Sequence, residues 1–241
     1  MRTYDLFLVK CLRVINFLWK KSNPRSHDPR LWSNDQLMKF THIFDGDVIN
    51  ISAGDDQDKD GKRYKDYFIN ARSYSTSNYC VENQHGGDYI FDLSTSLKNH
   101  DPFERKFDVV FSHTVLEHVD DIETAVENLC HLSVDVIITV VPFIQSFHGR
   151  RGEYADYWRF SPLCLSSLFG KHGFESVSIA WSDDPIGNIY ILHVSSCNLE
   201  NWIGKVESSF VDRAEGPGYF RNKIVHNLDF CKNVIINLDN K

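Results

Sequence analysis

Two apolar runs in the middle of the chain each end in a dense polar cluster. Phe107-Asp108-Val109-Val110-Phe111-Ser112-His113 leads into Thr114-Val115-Leu116-Glu117-His118-Val119-Asp120-Asp121. Asp135-Val136-Ile137-Ile138-Thr139-Val140-Val141-Pro142-Phe143 is followed by His148 and then by Asp156-Tyr157-Trp158-Arg159-Phe160. Near-continuous apolar runs, separated by a helical stretch and bounded by turn residues, are what strands buried on both faces of a sheet require. Open sheets of this kind bind ligands beyond the carboxyl ends of their strands, where both polar clusters fall.

The same patterning predicts further strands over 47–52, 78–83, 89–92, 107–112, 134–141, 175–181 and 189–194. Helices are expected over 122–130 and 162–172, the latter stopped by Gly173. A short helix from Ser33, read as its N-cap, to about Phe44 precedes the first strand. Strands alternating with helices imply right-handed crossovers and a mostly parallel sheet, while the closely connected last pair implies an antiparallel end. The expected fold class is therefore α/β, a seven-stranded, mostly parallel sheet flanked by helices with an antiparallel last strand. The chain divides into an N-terminal helical arm (1–44), a sheet domain (45–198) and a C-terminal extension (199–241).

Residues 4–21 form an amphipathic pattern, with Leu6, Val9, Leu12, Val14, Ile15, Phe17, Leu18 and Trp19 on the apolar side and Lys10, Arg13, Lys20 and Lys21 elsewhere. Three readings stand: packing on the core or over the site, a partner interface, or peripheral attachment to the inner face of a membrane. No stretch has the roughly 18–20 apolar residues of a membrane span, and no small-residue cleavage site follows the first segment. The net charge of −7 over 241 residues argues against a general nucleic-acid surface and favours small-molecule partners. Six cysteines without a C-x-x-C pair read as reduced core thiols of a cytoplasmic protein.

With Leu116-Glu117-His118 after the fourth strand, and Val141-Pro142-Phe143, His148 and Asp156-Tyr157-Trp158-Arg159-Phe160-Ser161-Pro162 after the fifth, the sequence resembles the class I S-adenosylmethionine-dependent methyltransferases. Within them it is similar to a subgroup associated with surface-polysaccharide biosynthesis. The resemblance covers roughly residues 45–195. It implies a Rossmann-like fold and S-adenosyl-L-methionine as cofactor. Val48-Ile49-Asn50-Ile51-Ser52-Ala53-Gly54-Asp55 then occupies the place of the family's first strand and glycine-rich turn, placing Asn50, Ser52 and Gly54 beside the cofactor. Only Gly54 of the usual glycines is present. A following helix N-terminus would favour nearby negative charge.

Glu82 is the candidate for the acid that accepts from both ribose hydroxyls, with Asn83 as its substitute. Asp92 is placed for the adenine amino group, or else as an N-cap. Ser112, His113 and Glu117 are expected to contact cofactor or acceptor. Tyr157 and Trp158 offer flat walls to an acceptor and Arg159 a planar fork for a carboxylate or phosphate, unless Arg159 pairs with Asp156 to fix its loop. His148 is the preferred general base, with His113 as a second catalytic candidate.

The function implied is methyl transfer from S-adenosylmethionine to an oxygen, or with less support a nitrogen, of a small acceptor such as a sugar, a sugar nucleotide or a surface glycan. No metal is expected, because the carboxylates and histidines lack a familiar ligand spacing, although Asp55, Asp56 and Asp58 are grouped. Self-association is compatible with the sequence. The alternative is a non-catalytic relative of the fold acting as a binding or scaffold partner in glycan biosynthesis. A nicotinamide-dependent oxidoreductase would need the G-x-G-x-x-G turn that Ser52 to Gln57 does not supply.

Overall fold

A computed structural model describes residues 10, 11, 13–15, 17, 18, 21, 22, 28–79, 86–98, 106–149, 154–182 and 189–206. Seven strands form one sheet: β1 (Asp47–Ile51), β2 (Ser73–Asn78), β3 (Tyr89–Ile90), β4 (Phe107–His113), β5 (Ser133–Ile144), β6 (Glu175–Trp181) and β7 (Ile189–Ser196). Their spatial order is β3-β2-β1-β4-β5-β7-β6. β1 through β5 pair in parallel, whereas β7 runs antiparallel to both β5 and β6. Six strands therefore point one way and only β7 is reversed. This is the expected Rossmann-like fold, mostly parallel with an antiparallel last strand.

Alternation along the central strands builds two cores. Ile49, Ile51, Val110, Ile137 and Val141 point to one face, where helices α2 (Ile122–Leu132) and α3 (Pro162–Gly170) cover them with Ala125, Val126, Leu129, Leu165 and Phe169. Val48, Val109, Phe111, Val136, Ile138 and Val140 point to the other. There helix α1 (Pro29–Phe40) adds Leu37 and Phe40, joined by Phe44, Tyr64, Tyr67 and Phe68. Burying both faces explains why β4 and β5 read as continuous apolar runs rather than alternating ones. Trp202, just beyond β7, packs on Phe44 with ring centroids 5.1 Å apart.

Each helix begins on a local signal. Asp28 caps α1 by accepting from the N–H groups of Arg30 and Leu31, with Pro29 at the first helical position, where a missing N–H costs nothing. Asp121 caps α2 through Thr124 N, and Ser161 caps α3 through Cys164 N. Ser33, expected as a cap, instead lies inside α1 and is fully buried. The Asp28-Pro29 pair, whose cap lies five residues earlier, is the stronger start signal.

The second strand also differs from expectation, running over Ser73–Asn78 rather than 78–83. Its Ser-Tyr-Ser-Thr-Ser-Asn composition carries almost no hydrophobic signal, so pairing with β1 and β3 rather than its own pattern defines it. Nor does an α-helix follow β1. Residues 52–72 form a looped connection containing a Gln57–Arg63 bridge and a 3-10 turn at Tyr64–Tyr67. The helix N-terminus expected beside the glycine turn is therefore replaced by loop backbone.

In the segment 4–21, the described residues are helical, and Val14, Ile15, Phe17 and Leu18 are exposed rather than packed on the core. No helix among the described residues is long and apolar enough to cross a membrane. The core-thiol expectation needs correction: Cys164 and Cys197 are exposed, Cys11 and Cys130 are half-buried, and all four are free thiols.

Candidate active site at the carboxyl ends of the strands

The turn leaving β1 is built from left-handed residues, with φ of 52° at Ser52, 59° at Gly54 and 59° at Asp56. Gly54 meets that geometry without a Cβ, and a Cβ there would find no protein atom within 4 Å. The turn is tied to the end of β2: Gly54 N donates to Asn78 Oδ1 at 2.8 Å, and Asn78 Nδ2 donates to the carbonyls of Gly54 and Gly86. Ser52 N donates to Ser77 Oγ at 3.1 Å. Asn78 thus ends β2 where the sequence reading placed an acid. Glu82 and Asn83 lie outside the described residues.

Asn50 is turned inward, 2% exposed, and donates to Asp56 Oδ1 at 2.9 Å. Asp56 also accepts from the Tyr74 hydroxyl at 2.7 Å and from Lys65 N at 3.1 Å. Asp58 accepts from the N–H groups of Asp60 and Lys62 and from the Tyr67 hydroxyl. These acids are spent on holding the loop together, and Asn50 is one of their donors rather than a group facing a cofactor. Asp92 accepts from both N and Oγ of Ser94 at 2.8 Å, forming a turn, and residues 93–98 contain no helix for it to cap.

At the end of β4, successive residues point to opposite faces. Ser112 lies on the α2–α3 face, 1% exposed, with no hydrogen-bond partner for Oγ. His113 lies on the α1 face, where its Nε2 meets Ser33 Oγ at 2.8 Å and its ring packs 5.3 Å from that of Tyr64. Burial, reinforced by the nearby Arg30 charge, holds its pKa well below the ordinary histidine value. His113 is a neutral, covered ring beneath α1, hydrogen-bonded to Ser33. Thr114 follows with φ of 55°, a strained conformation for a β-branched residue. Its N–H donates to Val140 O at 2.8 Å and its hydroxyl accepts from Arg30 Nη2 at 3.0 Å, contacts that hold the strain in place.

The two polar clusters recognised in the sequence meet because β4 and β5 are paired in parallel, with His113 opposite Val140. Tyr157 N and Trp158 N both donate to Glu117 O, at 2.7 and 3.3 Å, and Trp158 Nε1 donates to Val119 O at 2.7 Å. His118 and His148 pack edge to face, 5.1 Å between centroids, and Tyr154 packs 4.8 Å from His118. His118 Nδ1 bonds to Ala155 O at 2.6 Å, while His148 Nδ1 stands 3.1 Å from Asp156 Oδ2. Burial lowers the His118 pKa, favouring the neutral ring.

Glu117 sits at the bottom of this cluster. Its side chain is 0% exposed and neither carboxylate oxygen has a hydrogen-bond partner. Burial pushes its pKa up to about 8, with Asp156 adding to the rise and Arg159 and Arg30 opposing it. Arg30 Nε and Gln145 Oε1 are likewise buried without partners.

Arg159 is not free to hold an acceptor. Its Nε donates to Gln145 O, Nη1 to Asp156 Oδ1 and Trp158 O, and Nη2 to Asp156 Oδ2 and Ser146 O. All five guanidinium donors are thereby used within the loop. The paired guanidinium holds the Asp156 carboxyl down at about 2. The loop-fixing alternative is the one this geometry follows. Tyr157 and Trp158 remain half or more than one-third exposed at the rim.

No family model matches the sequence, and no curated protein matches it. Among solved structures it is similar to an S-adenosylmethionine-dependent methyltransferase from Clostridium acetobutylicum, with a TM-score of 0.48 and 10% identity over 77% of this chain and 98% of that chain. A Burkholderia thailandensis 1,6-didemethyltoxoflavin-N1-methyltransferase, solved with its acceptor and S-adenosylhomocysteine, gives 0.44 and 17% over 78% and 88%. The magnesium protoporphyrin IX methyltransferase from Synechocystis, solved with S-adenosylhomocysteine, gives 0.41 and 13% over 62% and 73%. None assigns a role to a residue of this chain.

Sequence reasoning missed three contributors: Asn78, Arg30 and Ser33. The Asp28-Pro29 cap signal would have started α1 early enough to bring Arg30 and Ser33 into view. For Asn78 no local signal existed, because β2 is itself nearly silent.

Proposed function

We propose that this chain is an S-adenosylmethionine-dependent methyltransferase acting on an oxygen, and less readily a nitrogen, of a small acceptor of the sugar or glycan class. The observation that carries this reading is the sheet order with β7 alone reversed, joined to a left-handed glycine turn at the end of β1 and a polar side-chain cluster beyond the ends of β4 and β5. The residues fit the cofactor in two respects. Gly54 borders open space that a side chain would enter, and Ser112 Oγ is a buried polar atom without a partner at the adjoining strand end. Gly54, Ser52, Ser112 and the half-buried Asp92 are the groups we assign to it, with Glu82 as a further proposal.

When bound, the sulfonium supplies the activated methyl group. The chain has to orient the acceptor and receive its proton. Tyr157 and Trp158 provide exposed aromatic surface for a sugar ring, and the Glu117–His118–His148 cluster receives the proton. Within it His148 is the most accessible member, with Asp156 beside its Nδ1. The surface-polysaccharide association rests on the sequence resemblance alone.

A second reading, a non-catalytic scaffold, is favoured by the internal use of Asn50, Asp56 and Asn78, which leaves few donors and acceptors at the turn for a ligand. Calorimetric titration with S-adenosylhomocysteine separates the two. Micromolar binding supports the enzyme, and no binding at millimolar concentrations supports the scaffold.

A further inference from the structure

A buried carboxylate with two unpartnered oxygens costs free energy that a bound cation would return. Glu117 is in that state, and its Oε1 lies 3.9 Å from His118 Nε2. One ligand atom from each of Glu117, His118 and His148 lies within 4.8 Å of the others. Around tetrahedral zinc, with bonds of about 2.0–2.1 Å, neighbouring ligand atoms stand roughly 3.4 Å apart. Separations of up to 4.8 Å therefore need to close by at most about 1.4 Å to complete a coordination triangle.

The surroundings of His118 are those of a metal-binding histidine, which almost always directs its second nitrogen at a carbonyl or carboxylate. His118 Nδ1 faces Ala155 O at 2.6 Å, while His148 Nδ1 lies 3.1 Å from Asp156 Oδ2 without a hydrogen bond formed between them. Asp156 is in turn fixed by Arg159 through both carboxylate oxygens. We propose that Glu117, His118 and His148 form a site for one divalent transition-metal ion of the zinc class, with a coordination position open to an acceptor.

Two imidazoles and one carboxylate suit zinc, cobalt, nickel or iron rather than the all-oxygen demands of calcium or magnesium. Three protein ligands with a vacant fourth position are the catalytic rather than the structural form of a zinc site. The opening lies on the histidine side, where His118 and His148 are 22% and 35% exposed while Glu117 is covered. A hydroxyl held there loses its proton more readily, so with the ion bound His148 acts through the metal rather than as a free base, and the site deepens the methyltransferase reading while standing on its own geometry. The sequence reading expected no metal, because the carboxylates and histidines show no familiar ligand spacing.

The test uses the full-length protein, stripped with chelator and titrated with zinc alone against a competing indicator. One equivalent should bind. X-ray absorption of that complex should show nitrogen and oxygen neighbours with an imidazole pattern and no sulfur. Substituting Asp156→Asn should weaken binding by about 10–100-fold, and the ligand changes Glu117→Gln or His148→Ala by more. Absence of stoichiometric binding, sulfur in the coordination shell, or affinity unchanged in a folded His118→Ala/His148→Ala double variant would each overturn the site. The absorption measurement on the unaltered protein decides the matter even if the variants fail to fold. Because no S-adenosyl compound is present, a negative titration leaves the methyltransferase reading standing, and failure of that reading leaves the metal result intact.

Discussion

The backbone N–H of Gly54 donates to Asn78 Oδ1 at 2.8 Å, and the same side chain returns a 3.3 Å hydrogen bond to Gly54 O. One amide thereby closes the turn after β1 onto the end of β2. Asn78 is 5% exposed, so removing its side chain leaves the Gly54 N–H without its protein acceptor. Asn78→Ala should cost about 1–3 kcal/mol in equilibrium denaturation. An unchanged midpoint would mean the turn holds its shape without β2.

Gly54→Val tests the turn from the other side. A left-handed L-residue costs roughly 1–2 kcal/mol, and the added side chain enters space that no protein atom occupies. The variant should fold with slightly reduced stability and lose S-adenosylhomocysteine binding by calorimetry. Retained affinity would remove Gly54 from the cofactor site.

Ser33 and His113 form the clamp between α1 and β4. Ser33→Ala removes the buried partner of His113 Nε2 and should destabilise the protein by about 1–3 kcal/mol. Chemical denaturation measures this, and a loss below a few tenths of a kcal/mol would show that α1 is held by apolar contact alone.

His148→Ala should lower turnover by about 10²–10⁴-fold while leaving cofactor affinity nearly unchanged. Steady-state kinetics beside calorimetry separates the two effects. A fall in affinity matching the fall in rate would place His148 in the cofactor pocket instead.

His193 provides the pH prediction. It is fully buried on β7, meets Ser176 Oγ at 2.8 Å and Phe169 at a ring distance of 5.5 Å, and burial lowers its pKa to about 3. Between that value and the unfolded value near 6.5 the unfolded chain binds the extra proton. The stability tied to the neutral ring is thus complete above about pH 6.5 and is lost as pH falls toward 3, at up to about 1.4 kcal/mol per pH unit. His193→Gln should flatten the acid limb of a stability–pH profile by that slope. An identical limb in the variant would assign it to other groups.

Much of the fold was legible in the chain. β1, β4 and the start of β7 lie within a residue or two of their expected bounds, because strands buried on both faces carry their own hydrophobic signature, and the edge strand β6 also keeps its expected bounds. β2 was displaced by five residues, since Ser73–Asn78 is polar and its strand character comes from its neighbours. Sequence also pointed to Leu116-Glu117-His118 and the His148-to-Arg159 segment as the chemistry-bearing stretches.

Pattern and residue type alone determined that this is a parallel α/β sheet with its polar groups at the strand ends. Their division of labour was decided only in three dimensions. His113 and Ser112 are neighbours in sequence, yet the pleat sends one beneath α1 and the other to the opposite face. Arg159 reads either as a fork for an acceptor or as a partner of Asp156, and folding decides for the second by surrounding it with three carbonyls and that carboxylate. Glu117 reads as a contact to cofactor or acceptor, and only the parallel pairing of β4 with β5 shows it buried beside two histidines. Periodicity records which face a residue prefers. Which distant groups share that face depends on pairing between strands, and no single stretch of chain encodes it.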